Sequence, residues 1–438
     1  MYIYISIKYF NLINYIYFGR GMEKFLIKGG RKLFGEVDIP CAKNAYLAIL
    51  AGCMLSRGEI ILHNVPMFVD VLKMLEILKS LGAKVDIKGD TVIIDTKNAN
   101  NYEVPKELAC EIRSSIFLLG AILSKLKKAK VCYPGGCEIG TRPIDLHLKG
   151  LKTIGAEIKE KHGFIECDGK GLVGGSVHLD YPSVGATENI MMAGVLAKGT
   201  TIIYNPAKEP EIVDLQNFIN SMGGKVSGAG SNVITIVGVE NLGGTEYTPI
   251  PDRIIAGTYL IAGAACGGEI VLNGVNMPHI ASLVTKLSNN SCKISCQSDR
   301  IKLVSDSRLK SLGCIDTMPY PGFPTDLQPQ TMVLSTISEG TCVFTENLFE
   351  SRYKHVPELI KMGAKIKVKD RVAIVDGVEK LFGAEVEAHD LRGGAALTIA
   401  GLVAEGYTTV NDIRHIDRGY YKLEDTLSSL GADIKRLS

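Results

Sequence analysis

Between Pro134 and His147 the chain places a thiol (Cys137), a guanidinium (Arg142), a carboxylate (Asp145) and an imidazole (His147) in one short segment. Gly135 and Gly136 admit backbone angles closed to other residues, Gly140 supplies a second hinge, and Pro143 ends the irregular part. Cys137 therefore sits at the tip of a segment built to move. A cation five residues away can lower a thiol pKa and can also hold an anion, which is the setting of a working cysteine. On residue type alone, a surface turn with an incidental thiol remains the alternative.

Further polar groups recur where a strand meets a helix. They are Lys43-Asn44, Arg113, the stretch Ser183-Val184-Gly185, Asp326 and Arg392, with Arg352 and Arg418 as additional cations. Such joints place side chains and free N–H groups at helix N-termini, where anions bind. Any one of these cations could be a solvated or ion-paired surface residue, but recurrence at equivalent positions argues for a shared role. A cleft lined by Lys and Arg would suit a small, highly charged substrate such as a phosphorylated carboxylate, because a guanidinium matches both groups bidentately.

The elements that carry these residues repeat. Leu81-Gly82-Ala83, Ile154-Gly155-Ala156, Met222-Gly223-Gly224, Met362-Gly363-Ala364 and Leu430-Gly431-Ala432 each end an amphipathic helix pattern and open a β-branched run, with a weaker sixth copy at Ser291-Cys292. Glycine there suits a left-handed helix C-terminus. Upstream lie helices rich in small residues, as in 45–55, 186–197, 256–265 and 395–404, a composition that suits burial on several sides. The unit reads strand, helix, strand, helix, strand, with a period of about seventy residues, too long for a solenoid and suited to two globular halves of three units each. The prolines of Tyr247–Arg253 mark a crossing between halves. The opening strand before Lys43 is expected in the C-terminal half, giving 43–250 as one half and 22–42 with 251–438 as the other.

Composition narrows the class. The 438 residues are 46% hydrophobic with 47 glycines and no tryptophan, which fits a compact α/β protein. A net charge of +2 gives no sign of bulk attraction to nucleic acid or to an anionic membrane. Eleven cysteines scattered over a long chain fit a reducing cytoplasm better than a secreted disulfide scaffold. Cys292 and Cys296 lack a second ligand pair and the eight histidines form no metal motif, so no metal is expected. A Cys132–Cys137 disulfide is discounted because it would tie down the loop. Residues 1–21, rich in Tyr, Ile and Asn, read as a signal peptide, an anchor or a false start. Lys8, Asn11 and Asn14 interrupt the apolar run and favour a false start before Met22.

The motifs Lys43-Asn44, Pro134 to Cys137 with Arg142 to His147, Ser183 to Thr187, Glu209 to Asp214, Pro321 to Asp326 and His415 to Tyr420 together resemble the enolpyruvyl transferase family. Within it the likeness is to the branch acting on UDP-N-acetylglucosamine at the first committed step of peptidoglycan synthesis, and it runs from Met22 to Ser438. The resemblance implies a two-domain inside-out α/β barrel of six repeats. It also implies transfer of the enolpyruvyl group of phosphoenolpyruvate to the sugar 3′-hydroxyl with release of phosphate, without metal or organic cofactor. By family position Cys137 is the acid and can form a covalent adduct, Asp326 is the base, and Lys43, Arg142 and Arg418 hold phosphoenolpyruvate, with Arg418 and Arg113 responding to closure. Asn44 would bind the reacting intermediate, and Arg352 and Arg392 would bind substrate. Arg142, Pro143, Ile144, Asp145, Leu146, Tyr181, Pro182, Ser183, Val184, Gly185 and Leu348 would contact the nucleotide sugar. A phosphonate epoxide of the fosfomycin type would alkylate Cys137.

The sequence departs from the family pattern at Cys41, Ile255 and Gly393, none of which removes a reacting group. The shikimate-pathway transferase is the nearest rival, and its reaction needs neither the cysteine loop nor a uridine site. A weakly active paralogue that binds the nucleotide sugar as a regulator is the other.

Overall fold

The computed structural model describes residues 23–134, 139–140, 143–290, 292–306 and 308–438. The leader 1–21 lies outside them. Among the described residues the strands form six small sheets, five of four strands and one of three. One connectivity recurs. A strand runs parallel to a second, which pairs antiparallel with a third, which pairs antiparallel with a fourth. Ser176–His178, Thr200–Tyr204, Val233–Val237 and Lys225–Ser227 show it in full. In the three-stranded sheet, Lys128–Cys132 pairs with Phe164–Asp168, and a single parallel bridge from Glu103 to Lys130 stands in the first place.

The recurring glycine is the physical root of this regularity. Gly82, Gly155, Gly223, Gly363 and Gly431 all have φ between 91° and 98°, which costs an L side chain but not glycine. After each, the next N–H reaches back over the last turn: Ala83 to Leu78 O, Ala156 to Leu151 O, Gly224 to Ile219 O, Ala364 to Leu359 O and Ala432 to Leu427 O. These are Schellman closures, and they launch the following strand in one direction every time. In the weaker sixth copy Cys292 N–H makes the same bond to Leu287 O.

The helices rich in small residues are interior. All nine residues of Gln328–Thr336 are buried, and this helix packs against both Arg253–Cys266 and Leu391–Val403. Small side chains allow that approach: a Cβ on Gly257 would lie 2.6 Å from Leu327 Cδ1. Two of these helices start a few residues before the small-residue stretch, because Asp252 and Asp390 cap them by accepting N–H bonds from Ile254 and Ile255, and from Arg392 and Gly393.

The N-terminal strands join distant partners. Lys24–Lys28 lies between Tyr407–Asn411 and Asp433–Leu437, and Leu33–Asp38 runs parallel to Gly268–Asn273. The chain then passes the 249–252 segment, where Cys41 bridges Pro251, Ala42 N–H donates to Ile250 O, and Asp252 N–H donates to Pro40 O. Among the described residues no helix is long and apolar enough to cross a membrane.

Candidate active site

Asp252, Asp390 and the 3₁₀ turn Thr325–Leu327 bring the starts of three packed helices to one end of the bundle. Asp252 does two jobs. Its Oδ1 caps its own helix, while Oδ2 accepts the Lys43 backbone N–H at 3.1 Å and so sets the start of Lys43–Cys53 against that helix. The Lys43 ammonium then reaches Asp70 Oδ2 at 2.8 Å, and the Arg418 guanidinium meets the same carboxylate at 3.0 Å and 3.3 Å. Burial pushes Lys43 down, with Asp70 acting against it. Burial alone would raise the Asp70 carboxyl, but Lys43 and Arg418 outweigh it and hold the group below the usual range.

Asp326 occupies the second half of the site. Its Oδ1 accepts from Arg352 at 2.8 Å and its Oδ2 accepts twice from Arg392, at 3.0 Å and 3.2 Å. Arg352 also donates to Thr325 O at 3.0 Å, and Arg392 lies over the Tyr420 ring, 5.4 Å from its centroid. Both arginines are buried whereas Asp326 is partly exposed, so the carboxylate is the part of the cluster open to the cleft. The Tyr420 hydroxyl bonds Thr258 at 2.8 Å and Gln330 at 3.2 Å, tying this wall to two of the three central helices. The two halves touch: a Cβ on Gly419 would lie 3.3 Å from Lys43 Cδ, and the charge of Arg392 bears on Lys43 and Asp252.

A third group lies near the second, since the charges of Glu209 and Asp326 both act on Arg253. Glu209 precedes helix Pro210–Ser221, accepts from Tyr320 N–H at 3.4 Å, and has its Oε2 buried without a hydrogen-bond partner among the described residues; burial raises its carboxyl. Tyr181 lies near both Glu209 and Glu346, whose charges act with burial to raise its phenol. Glu346 accepts from Leu348 N–H at 3.0 Å, which places Leu348 along the same wall.

The remaining expected residues fall as follows. Pro143, Ile144 and Asp145, with Tyr133 and Leu148, line a cavity of about 820 Å³ at the start of helix Asp145–Thr153. Leu146 is half-buried there. Pro182, Ser183, Val184 and Gly185 form the start of helix Val184–Gly194, capped by Ser183 accepting from Ala186 N–H. Gly185 is required at this point, since a Cβ would come within 2.8 Å of His147 Cε1. Arg113 opens the turn Arg113–Phe117, and its charge acts on His147. Asn44 is exposed one residue beyond Lys43. Cys137 and Arg142 lie outside the described residues. The described residues between them, Ile139 and Gly140, rest on the segment before Arg352: Ser351 N–H donates to Ile139 O at 3.0 Å.

Lys43, Arg418, Asp326, Arg352 and Arg392 are thus brought together, whereas Arg113 and the 143–146 and 182–185 stretches gather around His147. Sequence reasoning missed Asp70, the anion that joins Lys43 to Arg418. The signal was there: on Val69–Ser80 it shares the buried face with Met74, Ile77 and Leu78, and a carboxylate on an apolar stripe needs a cationic partner. The capping roles of Asp252 and Asp390 were missed as well. At the departures from pattern, Cys41 donates its thiol to Pro249 O at 3.2 Å and burial pushes it up to about 12, and Ile255 is core. At Gly393 a Cβ would lie 2.8 Å from Asp390 Oδ2.

Residues 27–427 match the family described as EPSP synthase (3-phosphoshikimate 1-carboxyvinyltransferase). The chain is 52% identical over 416 residues to UDP-N-acetylglucosamine 1-carboxyvinyltransferase 2 of Caldanaerobacter subterraneus subsp. tengcongensis, covering 95% of this chain and 100% of that protein. It is 51% identical over 419 residues to the protein of the same name from Carboxydothermus hydrogenoformans, with the same coverage. Among solved structures, the enolpyruvyl transferase NikO from Streptomyces tendae superposes with a TM-score of 0.85 at 25% identity, covering 95% of this chain and 99% of NikO. EPSP synthase from Acinetobacter baumannii shares the fold, with a TM-score of 0.75 at 21% identity over 95% of this chain and 100% of that one.

Proposed function

The chain belongs to the enolpyruvyl transferase family, and we propose that its cleft transfers the enolpyruvyl group of phosphoenolpyruvate to the 3′-hydroxyl of UDP-N-acetylglucosamine, releasing phosphate. The observation that carries this reading is the pairing of two charge clusters at converging helix starts. Lys43 and Arg418 share Asp70 on one side, and Asp326 is held by Arg352 and Arg392 on the other. The first suits an anionic donor and the second presents a carboxylate to an acceptor hydroxyl.

The donor's phosphate and carboxylate bind Lys43, Arg418 and Arg142, taking over contacts that Asp70 makes in the free chain. Cys137 protonates the methylene carbon, leaving a cationic centre at the adjacent carbon. The 3′-hydroxyl adds there while its proton passes to Asp326. Loss of a methyl proton and of phosphate from the resulting ketal restores the double bond. Tyr181, Pro182, Ser183, Val184, Gly185, Leu348 and the 143–146 stretch hold the nucleotide sugar, and Asn44 contacts the intermediate. Two lobes, 43–250 and 22–42 with 251–438, close on the substrates, a division supported by the strand pairing of 24–38 with the C-terminal strands. The reaction belongs to peptidoglycan synthesis in the cytoplasm.

The test is phosphate release. It should require phosphoenolpyruvate and UDP-N-acetylglucosamine together. Release with shikimate 3-phosphate and none with the nucleotide sugar would overturn the assignment, and tight binding of the sugar without turnover would replace it with a regulatory role.

A further inference from the structure

Cys110 and Cys132 do nothing in the proposed reaction, yet their sulfur atoms lie 3.5 Å apart. Cys110 is exposed near the end of helix Lys106–Glu111, and Cys132 is buried at the end of strand Lys128–Cys132, against which that helix packs. We propose that this pair is a thiol–disulfide modification site, oxidised by a small disulfide, whose crosslink ties the helix ahead of Arg113 to the strand that leads into the Cys137 segment.

Geometry assigns the roles. A disulfide needs its sulfurs about 2.05 Å apart, so closing the pair takes a movement of about 1.5 Å, within reach of side-chain rotation and a slight shift of a short helix. Cys110 is the sulfur that a reagent in solvent can meet. Burial, followed by the contact with Cys110, pushes the Cys132 thiol up to about 12, which suits a resolving rather than an attacking sulfur. The Cys110 thiolate attacks the small disulfide, forming a mixed disulfide and expelling one thiolate. Cys132 then loses its proton and attacks the Cys110 sulfur, expelling the second. The protein gives up two electrons and two protons, and the small disulfide becomes two thiols.

The consequence for turnover rests on the proposed function. Arg113 follows Cys110 by three residues, and only Tyr133 and Pro134 separate Cys132 from the glycines of the Cys137 segment. A covalent link there restrains both substrate-handling elements at their roots.

The experiment incubates the full chain with glutathione disulfide, blocks remaining thiols by alkylation in denaturant and maps the peptides. Cys110 joined to Cys132 is expected as the dominant product, ahead of mixed disulfides on the exposed Cys296 and Cys314. In Cys110→Ala, Cys132 should remain alkylatable. Oxidation confined to Cys296 and Cys314, or Cys110 carrying glutathione while Cys132 stays free, would overturn the site. Mapping does not depend on turnover, so it stands even if the proposed reaction fails. Where phosphate is released, oxidation should slow the parent chain about fivefold more than Cys110→Ala, with recovery on adding dithiothreitol. Rate loss through Cys137 is common to both proteins, and equal losses would refute the restraint.

Discussion

Lowering the pH from 8 should withdraw the stability that a neutral His147 contributes, while buried carboxyls such as Asp214, raised to about 6, act in the opposite sense. The ring is buried, and its protonation state is fixed by a chain of hydrogen bonds. Asn189 Oδ1 accepts from Gly120 N–H at 2.7 Å, which orients the amide so that Nδ2 donates to Ile116 O at 3.0 Å and to His147 Nδ1 at 2.8 Å. An acceptor Nδ1 means a neutral ring protonated on Nε2. Burial, then the charge of Arg113, lowers the imidazole from 6.5 to about 4. Between those values the unfolded chain binds more protons than the folded one, so stability rises with pH there and falls as acid is added. For a single group the loss is about 1.4 kcal/mol at pH 5.5 and about 3 kcal/mol at pH 4. His355, also lowered to about 4 by burial, pushes the same way, so the parent must be compared with a variant. His147→Gln should cost about 1 kcal/mol at pH 8 but lose its share of the acid dependence. Going from pH 8 to 5.5, the thermal midpoint of the parent should therefore fall about 1.5 °C further than that of His147→Gln. Equal falls would refute the buried neutral imidazole. Because His147 joins helix Asp145–Thr153 to the start of Val184–Gly194, loss of nucleotide-sugar binding should follow the same curve in the parent.

Asp70→Asn removes the counter-charge of a buried lysine and should cost about 3 kcal/mol of stability with a rise in KM for phosphoenolpyruvate, read by denaturation and by phosphate release; an unchanged KM would separate Asp70 from donor binding. Cys137→Asp keeps a proton donor without a nucleophilic sulfur, so it should turn over and resist the phosphonate epoxide, whereas Cys137→Ser should lose at least about a hundredfold in rate; epoxide label mapped to another cysteine would contradict the acid's placement. Deleting residues 1–21 should leave rate and thermal midpoint unchanged, and a large loss of stability would show that the segment belongs to the fold.

The repeat was legible because its cause is local. A helix that must stop and turn at once into a strand favours a left-handed residue, so five of the six units show a glycine there although their neighbours differ, and the sixth carries Ser291. The small-residue helices were legible for a similar reason, since a composition that cannot form an amphipathic stripe implies burial on all sides. Their starts were less legible, because the Asp252 and Asp390 caps lie outside the small-residue stretch. Lys43 and Arg392 stood out as charges at joints, and Arg418 as an additional cation. What joins them did not: Asp70 and Arg418 are 348 residues apart, and no spacing rule spans that distance. Arg352 and Arg392 were expected to bind substrate directly, and the structure shows their strongest contacts spent on Asp326.

That last difference changes how the base would work. A bare carboxylate at a cleft floor could swing among several rotamers, and its aim at an acceptor hydroxyl would be paid for in entropy at each turnover. Here three N–H donors from two arginines engage both Asp326 oxygens. Contacts to both oxygens from two directions fix the plane of the carboxylate as well as its position. Both guanidiniums are themselves fixed, Arg352 by Thr325 O in the same turn and Arg392 by its approach to the Tyr420 ring. Neither can follow the carboxylate if it moves. Substituting Arg392 by Lys would keep the charge but lose the double contact to Oδ2, so the aim should suffer more than the field. The expected signature is a fall in kcat of about tenfold or more with KM for both substrates within about threefold, because binding survives and only the placement of the proton acceptor is lost. A rise in KM for phosphoenolpyruvate at unchanged kcat would instead mean that Arg392 holds the donor, and that Asp326 needs no second arginine to aim it.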